Sequence, residues 1–596
     1  AAEILRAWCA LRVVDPAMSA GDWLCGRVLL HRRMGTALAD RCGAPGPDPG
    51  VTAATVHGVD LDPVAVALAE VRLTLLTGAI PDSGRLIVGN SLLANDGDEP
   101  RRWHWPGWPQ RFDVVLGNPP FVSTKQLDAT GDRQRLLRHY GYADDLYVHF
   151  VDQALHCLKP DGWLLYILSD SFRTTITKNR LRERLLACRL HRLETLADGT
   201  FAATVGTVVV TLQLASPQSH VQVPPHGTLP LRDLILGPRR VFVDPTPGNQ
   251  RWLARLRPHW EPLLDAWAEP LRDSRRQQQA ASAIETHRLG LRPGDWTLLG
   301  LLCDGGVGLQ TGDNGLSLGI RAGSPAAKAA VVRLATLRQE WLADPEVAVW
   351  IDRTLPTEVL AVALRSRFSA ARLGFRRGEV WRVVALTDIA DPMAWPEAWR
   401  QSGTPQVPAW VPYEKGDPEG RRWLHDNPFL IRWDKAGVRR LRDSGRGRGE
   451  PVLRNPQFFF QAGVTWSNMS SQSLKARLQP PCVFDVGSMT LFPRVVWLDP
   501  LVLVTWLNAA STTGLLKAFI NHTLNFQIND LRLLPLPVPS AATCAVLRDL
   551  AQAAVDRGPA GETADLERLI DDVVAASYGS GWDVTEMTTP NVKVVR

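Results

Sequence analysis

The stretch Phe112-Asp113-Val114-Val115-Leu116-Gly117-Asn118-Pro119-Pro120-Phe121 constrains the fold more than any other part of the chain. An apolar run of this kind forms a strand, but two consecutive prolines lack N–H groups and fix φ, so the strand must stop there. The chain then enters a stiff loop with a polar amide before the prolines and an aromatic ring after them. In α/β folds the carboxyl ends of strands are where ligands bind.

The sequence around this loop alternates strands and helices, the pattern of a parallel α/β sheet. Leu11 to Val14 is a short apolar run ending at Asp15-Pro16, and Thr55 to Val59 is another, ending at Asp60. Asp62-Pro63 then supplies an Asx N-cap and a proline at the first helical position. Val64, Leu68, Val71, Leu75 and Leu76 continue at helical spacing. Arg85 to Val88 and Trp163 to Leu168 read as further strands, and the nearly all-apolar Val205 to Leu214 as a buried closing strand. From Ser216 to Gln250 seven prolines occur and periodicity disappears. The expected organisation is an α/β domain over 1–215, a linker and helical connector over 216–294, a mixed α+β domain over 295–540 and a helical tail over 541–596. With 596 residues, 45% hydrophobic and 21% charged, the chain can bury several cores, which excludes a disordered or fibrous protein.

Three motifs precede the proline loop. Asp15-Pro16-Ala17-Met18-Ser19-Ala20-Gly21 is a small-residue turn between a strand and a helix, where a ligand can approach backbone N–H groups. Gly58-Val59-Asp60-Leu61-Asp62-Pro63 puts an acid at the end of the second strand, where nucleoside-binding α/β folds hold a ribose diol. Capping explains Asp62 but not Asp60. The gap from Gly21 to Asp60 exceeds the usual spacing of about 20 residues, and the Gly/Pro-dense loop Gly43 to Gly50 accounts for the excess as an insertion. Gly89-Asn90-Ser91-Leu92 comes after the third strand; alone it is a turn, but it stands where an adenine ring could be hydrogen-bonded. At the proline loop, the Asn118 side-chain oxygen and the Pro119 carbonyl can each accept one N–H of an exocyclic amine, which turns its lone pair towards an electrophile. Phe121 offers a face for an unstacked base.

These four motifs, in this order and with a large domain after them, resemble the γ class of amino-methylating DNA methyltransferases that use S-adenosylmethionine. Thr311-Gly312-Asp313-Asn314, Trp410 to Trp433, Asn455 to Trp466, Cys482 to Gly487 and Leu524 to Pro537 look like the target-recognition region of the BREX phage-defence adenine methyltransferases, the PglX-like proteins. The resemblance implies a Rossmann-like methyltransferase sheet followed by a mixed α+β target-recognition domain. It also implies a reaction in which adenine N6 in double-stranded DNA is methylated after base flipping, without a covalent enzyme intermediate. By the same resemblance, Asp15, Ala17 and Gly21 belong to the turn that holds the methionine part of the cofactor. Asp60 takes the ribose hydroxyls, Leu61 touches the adenine, and Asn90 stands where many relatives carry Asp. Asn118, Pro119, Pro120 and Phe121 handle the target base. Asn at the first loop position favours adenine N6, although the chemistry also permits cytosine N4. Relatives have Gly-x-Gly in the first motif, whereas Ser19 occupies the first of those positions here; it either crowds the cofactor carboxylate or donates to it. The chain opens at Ala1-Ala2-Glu3 without an initiator Met, so the family's segment that closes over the methionine moiety is expected upstream of residue 1.

The basic excess of the whole chain, 67 Lys and Arg against 61 Asp and Glu, is matched by one stretch. Arg421 to Arg454 holds ten basic residues against four acidic ones, with Trp423, Phe429, Trp433 and Phe458-Phe459-Phe460 interleaved. Within it, Arg446 and Arg448 lie in a Gly/Ser loop suited to DNA phosphates, and a bland solvated loop is the lesser reading of the same charges. The eight cysteines are dispersed without a CxxC pair, so neither a metal centre nor a redox dithiol is expected and a reducing cytoplasm is. No secretory leader or membrane span is expected. The expected partners are double-stranded DNA and other defence-system proteins. Two alternatives stay open: a DNA-binding specificity subunit with a degenerate methyltransferase fold, and the methylase part of a fused restriction enzyme.

Overall fold

The computed structural model describes residues 2–43, 54–82, 84–93, 103, 105–197, 200, 206–376, 378–417, 420–443, 450–467, 473–523 and 525–579. The chain divides into two compact units, Ala1–Ala254 and Arg255–Val594, and the division falls inside helix Pro247–Trp267.

The first unit is built on a nine-stranded sheet. Its strands are β1 (Val13–Asp15), β2 (Val56–Asp60), β3 (Leu86–Val88), β4 (Phe112–Gly117), β5 (Leu158–Ser169), β6 (Arg189–Thr195), β7 (Thr207–Gln213), β8 (His220–Gln222) and β9 (Thr228–Pro230), in the order β3-β2-β1-β4-β5-β7-β6-β8-β9. The first five strands in that order are parallel, and β7 runs antiparallel between β5 and β6. Successive strands step one way from β1 to β3 and the other way from β4 onward, so the gap between the β1 and β4 ends is a topological switch point.

Helices cover both faces, as parallel sheets require. On one face Leu24, Cys25 and Val28 of α1 (Asp22–Cys42) and Val66, Ala69 and Leu73 of α2 (Pro63–Thr77) pack with Met18, Val56 and Leu86. As the sequence indicates, α2 starts at Pro63, and the Asp62 carboxylate accepts from the Val64 N–H at 2.9 Å. On the other face Val148, Val151 and Ala154 of α3 (Leu146–Cys157) pack with Val14, Val115, Leu164 and Val210.

The proline-rich stretch expected to be a linker instead extends this sheet. Arg192 of β6 pairs with Gln222 of β8, and Val221 pairs with Leu229 of β9. Val221, Val223, Leu234 and Phe242 are buried in the same core as Val14. Three-residue strands at a sheet edge leave almost no periodic signal, and an edge tolerates Pro230 because its missing N–H is not needed there. The strand β7 is interior rather than closing, because β6 pairs along its outer side. Val205 of the expected strand and residues 44–50 of the expected insertion lie outside the described residues.

The second unit carries two larger sheets. One is four-stranded and antiparallel, in the order Cys303–Val307, Ser488–Pro493, Gly463–Ser467, Ala476–Gln479. The other has five strands, in the order Val383–Val384, Leu318–Arg321, Phe429–Arg432, Trp410–Glu414, Val483–Phe484. Buried tryptophans knit this unit, and four of them donate the indole N–H to a backbone carbonyl. Trp260 donates to Leu533, Trp341 to Leu373, Trp433 to Arg400 and Trp466 to Phe526, all at 2.9–3.0 Å. The expected tail forms helices Ala541–Asp556 and Ala564–Ser577 within this unit. Among the described residues, no helix is long and apolar enough to cross a membrane.

Candidate active site

A cavity of about 340 Å3 lies at the switch point, within the usual range for small-molecule sites. The structure brings Ala17, Asp60, Leu61, Asn90, Asn118 and Pro120 onto its wall. Four motifs separated by up to a hundred residues thus meet because they all sit at carboxyl ends of β1 to β4.

The wall is fixed from β1 outward. Ser19 adopts a left-handed conformation (φ 48°), and its N–H donates to Asp60 at 2.9 Å, while the second Asp60 oxygen accepts from the Asp62 N–H at 3.0 Å. The Asp60 carboxylate therefore ties the first motif to the second and keeps lone pairs for a ligand. Gly58 is required by packing: a Cβ there would overlap Met18 Sδ and stand 2.9 Å from Leu24. Gly21 serves packing as well. Its φ is 76°, and a Cβ would come within 2.9 Å of Ala69 on α2, so this glycine seats one helix on the other. It is absent from the cavity wall.

Asp15 is fully buried and does not line the cavity either. One carboxylate oxygen accepts from the Ala17 N–H at 3.1 Å, and the other has no hydrogen-bond partner. Burial pushes its pKa up to about 7, against the pull of the Ala17 N–H and with a further push from the Asp60 charge. Gly117 leaves room for it, since a Cβ there would stand 2.6 Å from the carboxylate.

The third motif is held by its own side chains. Asn90 Oδ1 accepts from the Leu92 and Leu93 N–H groups, both at 3.0 Å. Ser91 donates to the Pro16 carbonyl, Trp103 to the Ser91 carbonyl at 3.0 Å and Tyr140 to the Leu92 carbonyl at 3.0 Å. With its oxygen engaged twice, Asn90 offers a ligand its NH2 donor. The sequence suggests an amide facing an adenine amine; the geometry instead suits a ring nitrogen acceptor.

At the proline loop, Asn118 is half-buried and Pro119 buried, while Pro120 is exposed. Asn118 Oδ1 is buried with no hydrogen-bond partner. A buried acceptor without a donor is unfavourable by about 1–3 kcal/mol, so its retention beside a cavity points to a ligand N–H. Phe121 is half-buried and meets Tyr147 edge to face, with ring centroids 6.0 Å apart. The Leu146 N–H donates to the Val122 carbonyl at 3.0 Å, and the Thr124 N–H to Asp145 at 2.9 Å, so the start of α3 supports the loop. Lys178, almost fully buried, pairs with Asp144 and Asp145 there.

Leu127, Asp132, Leu136 and Phe150 complete the wall. Sequence reasoning missed these four; they come from helices after the loop and carry no spacing that marks a site. Asp132 also lines the wall, with one oxygen paired to Arg135 at 3.1 Å and the other accepting from Thr130 at 2.8 Å, so Asp60 is the carboxylate that favours a cationic ligand. Arg446 and Arg448 lie outside the described residues.

Sheet order and the switch-point cavity define a Rossmann-like α/β domain. Residues 54–198 match the Eco57I restriction-modification methylase family. The chain is 29% identical over 130 residues to the adenine-specific methyltransferase PglX of Lacticaseibacillus casei (strain Zhang). It is 27% identical over 130 residues to the adenine-specific methyltransferase BrxX of Escherichia coli O9:H4 (strain HS). A protein of Methanocaldococcus jannaschii, named as a type II restriction enzyme and methyltransferase, is 24% identical over 188 residues. These matches cover 21%, 21% and 28% of this chain, and 11%, 10% and 16% of the respective relatives.

Proposed function

We propose that the chain is a site-specific DNA methyltransferase that moves a methyl group from S-adenosylmethionine to adenine N6 of a base flipped out of the duplex, in a phage-defence or restriction-modification system. The observation that carries this reading is the unpartnered, buried Asn118 Oδ1 at the cavity wall. The cofactor, when bound, supplies a methyl group on a positively charged sulfur. Ala17, Asp60, Leu61 and Asn90 would hold it, and the Asp60 carboxylate suits its positive charge. Asn118 Oδ1 and the Pro119 carbonyl would accept the two N–H groups of the target amine. That orientation takes the lone pair out of conjugation with the ring and aims it at the methyl carbon. The exocyclic amine becomes nucleophilic once that lone pair is freed, the new N–C bond would form as the S–C bond breaks and one amine proton leaves, and the protein's contribution is orientation and electrostatic arrangement. Phe121, braced by Tyr147, would stack on the flipped base.

Incubating the full chain with S-adenosylmethionine and duplex DNA of mixed sequence, then digesting the DNA to nucleosides, tests the reading. N6-methyladenine is expected in the digest. N4-methylcytosine would assign the other amine, and unmodified DNA would remove the proposal.

A further inference from the structure

The second unit contains a cleft of about 470 Å3 that the methyl-transfer site does not use. It lies between helix Glu397–Ser402, helix Lys435–Asp443 and the turn that starts at Pro456. Its floor is aromatic. Trp433 meets Phe459 and Phe460 edge to face at 5.8 and 5.6 Å, and all three rings are buried. Its rim is polar: Glu397, Arg400, Gln401, Arg442, Gln457 and Gln461 line the opening.

The rim is built rather than incidental. The Trp433 indole donates to the Arg400 carbonyl at 2.9 Å, and Arg442 donates to the Gln401 carbonyl at 3.0 Å, so both helices are fixed to each other across the cleft. The turn opposite is bounded by two non-glycine residues in the left-handed region, Asn455 (φ 49°) and Phe460 (φ 61°). Each is held by a hydrogen bond of 2.9 Å, Asn455 to the Val307 carbonyl and Phe460 to the Cys482 carbonyl. Such conformations cost on the order of 1 kcal/mol each and gather at functional sites. Here they turn Gln457 outward and keep Gln461 at the mouth, its amide donating to the Gln457 carbonyl at 2.7 Å.

We propose that this cleft reads base edges of duplex DNA, with Gln457, Gln461 and Arg400 as the side chains that determine sequence preference. The inference rests on the proposed function, since it names where that enzyme takes its specificity. Phosphate oxygens only accept hydrogen bonds, so a surface built for them presents donors. This rim mixes guanidinium donors, carboxamides that donate and accept, and one carboxylate, the set that distinguishes base pairs in the major groove. Exposed Arg439 and Arg454 nearby in sequence are placed for the sequence-independent backbone contacts.

The test is enrichment of bound sequences from a random duplex pool, followed by long-read detection of methylated positions on plasmid DNA, for the full chain and two variants. Gln457 is exposed and Gln461 makes one hydrogen bond, to the Gln457 carbonyl, so the double substitution Gln457→Ala/Gln461→Ala should change thermal unfolding only slightly. It should relax the enriched motif at one or two positions by about ten-fold or more each. Gln461→Glu should replace one preferred base by another, which a structural role could not do. An unchanged motif in both variants overturns the inference. So does uniform weakening on all sequences with a shallower salt dependence, which would make the cleft a phosphate site. Enrichment is read without methylation, so a chain that enriches a motif but methylates nothing loses the proposed function alone. A wild-type chain that enriches no motif loses this inference.

Discussion

Replacing Asp15 by Asn should make the protein more stable and bind its cofactor less well. The buried carboxyl holds its proton up to about pH 7 in the folded chain, against about 3.8 in the unfolded one. Below about pH 4 it is neutral in both states and affects nothing. Between pH 4 and 7 the unfolded chain releases the proton while the folded chain keeps it, so stability falls as pH rises, by about 1.4 kcal/mol per unit. The loss levels off above pH 7, after a total on the order of 4 kcal/mol. Asn keeps the acceptor for Ala17 and never ionises, but its NH2 lacks an assured partner, which returns about 1–3 kcal/mol. At pH 7 a net gain of roughly 1–3 kcal/mol is expected, shrinking to zero or a small loss at pH 4. His31, His57 and His149, each held near pKa 4 by burial, impose the opposite slope over pH 4–6.5. The observable is therefore the difference between protein and variant in calorimetric unfolding across pH 4–8. A cation bound on the Ala17–Asp60 wall favours ionised Asp15, so affinity for S-adenosylmethionine should fall with pH below 7 in the protein and be weaker and flatter in Asp15→Asn. A stability difference that does not grow from pH 4 to 7 would refute the reasoning.

Three further outcomes are expected. Asp60→Ala should weaken S-adenosylmethionine binding by roughly ten- to a hundred-fold, the loss of a hydrogen bond to a charged group, read by titration calorimetry; unchanged affinity would move the ribose contact elsewhere. Asn90→Asp replaces the NH2 donor by an acceptor opposite a ring nitrogen, so it should weaken S-adenosylmethionine binding, read by titration calorimetry; tighter binding would put the adenine amine there instead. Arg446→Ala/Arg448→Ala should weaken binding to all DNA sequences alike and lower the slope of log affinity against log salt by about one per lost phosphate contact; an unchanged slope would leave the loop as a solvated surface.

What the sequence reveals here depends on how local the cause is. The loop at Asn118 is legible because prolines end a strand whatever surrounds them, and Asp62 is legible because its cap needs only Pro63 and Val64. Asp60 is legible as an unexplained acid at a strand end. The edge strands β8 and β9 are not, because they take their order from β6 and from a core shared with Val221 and Phe242. Gly21 looks like a residue for ligand approach and is required instead by Ala69, far along the chain. Asn90 is legible as a residue but not as a donor, since its orientation is set by the backbone of Leu92 and Leu93. Leu127, Asp132 and Leu136 join the cavity through tertiary packing alone.

The most direct test of the central claim separates binding from transfer at Asn118. Its side-chain oxygen is proposed to receive the target amine, and no hydrogen bond within the protein depends on that oxygen among the described residues. Asn118→Ala should therefore unfold at the same or a higher temperature and bind S-adenosylmethionine with unchanged affinity, while methyl transfer to DNA drops by about a hundred-fold or more, the scale for losing one preorganised polar contact in the transition state. Transfer at the wild-type rate, or loss of cofactor affinity with normal unfolding, would contradict the assignment of this oxygen to the target base.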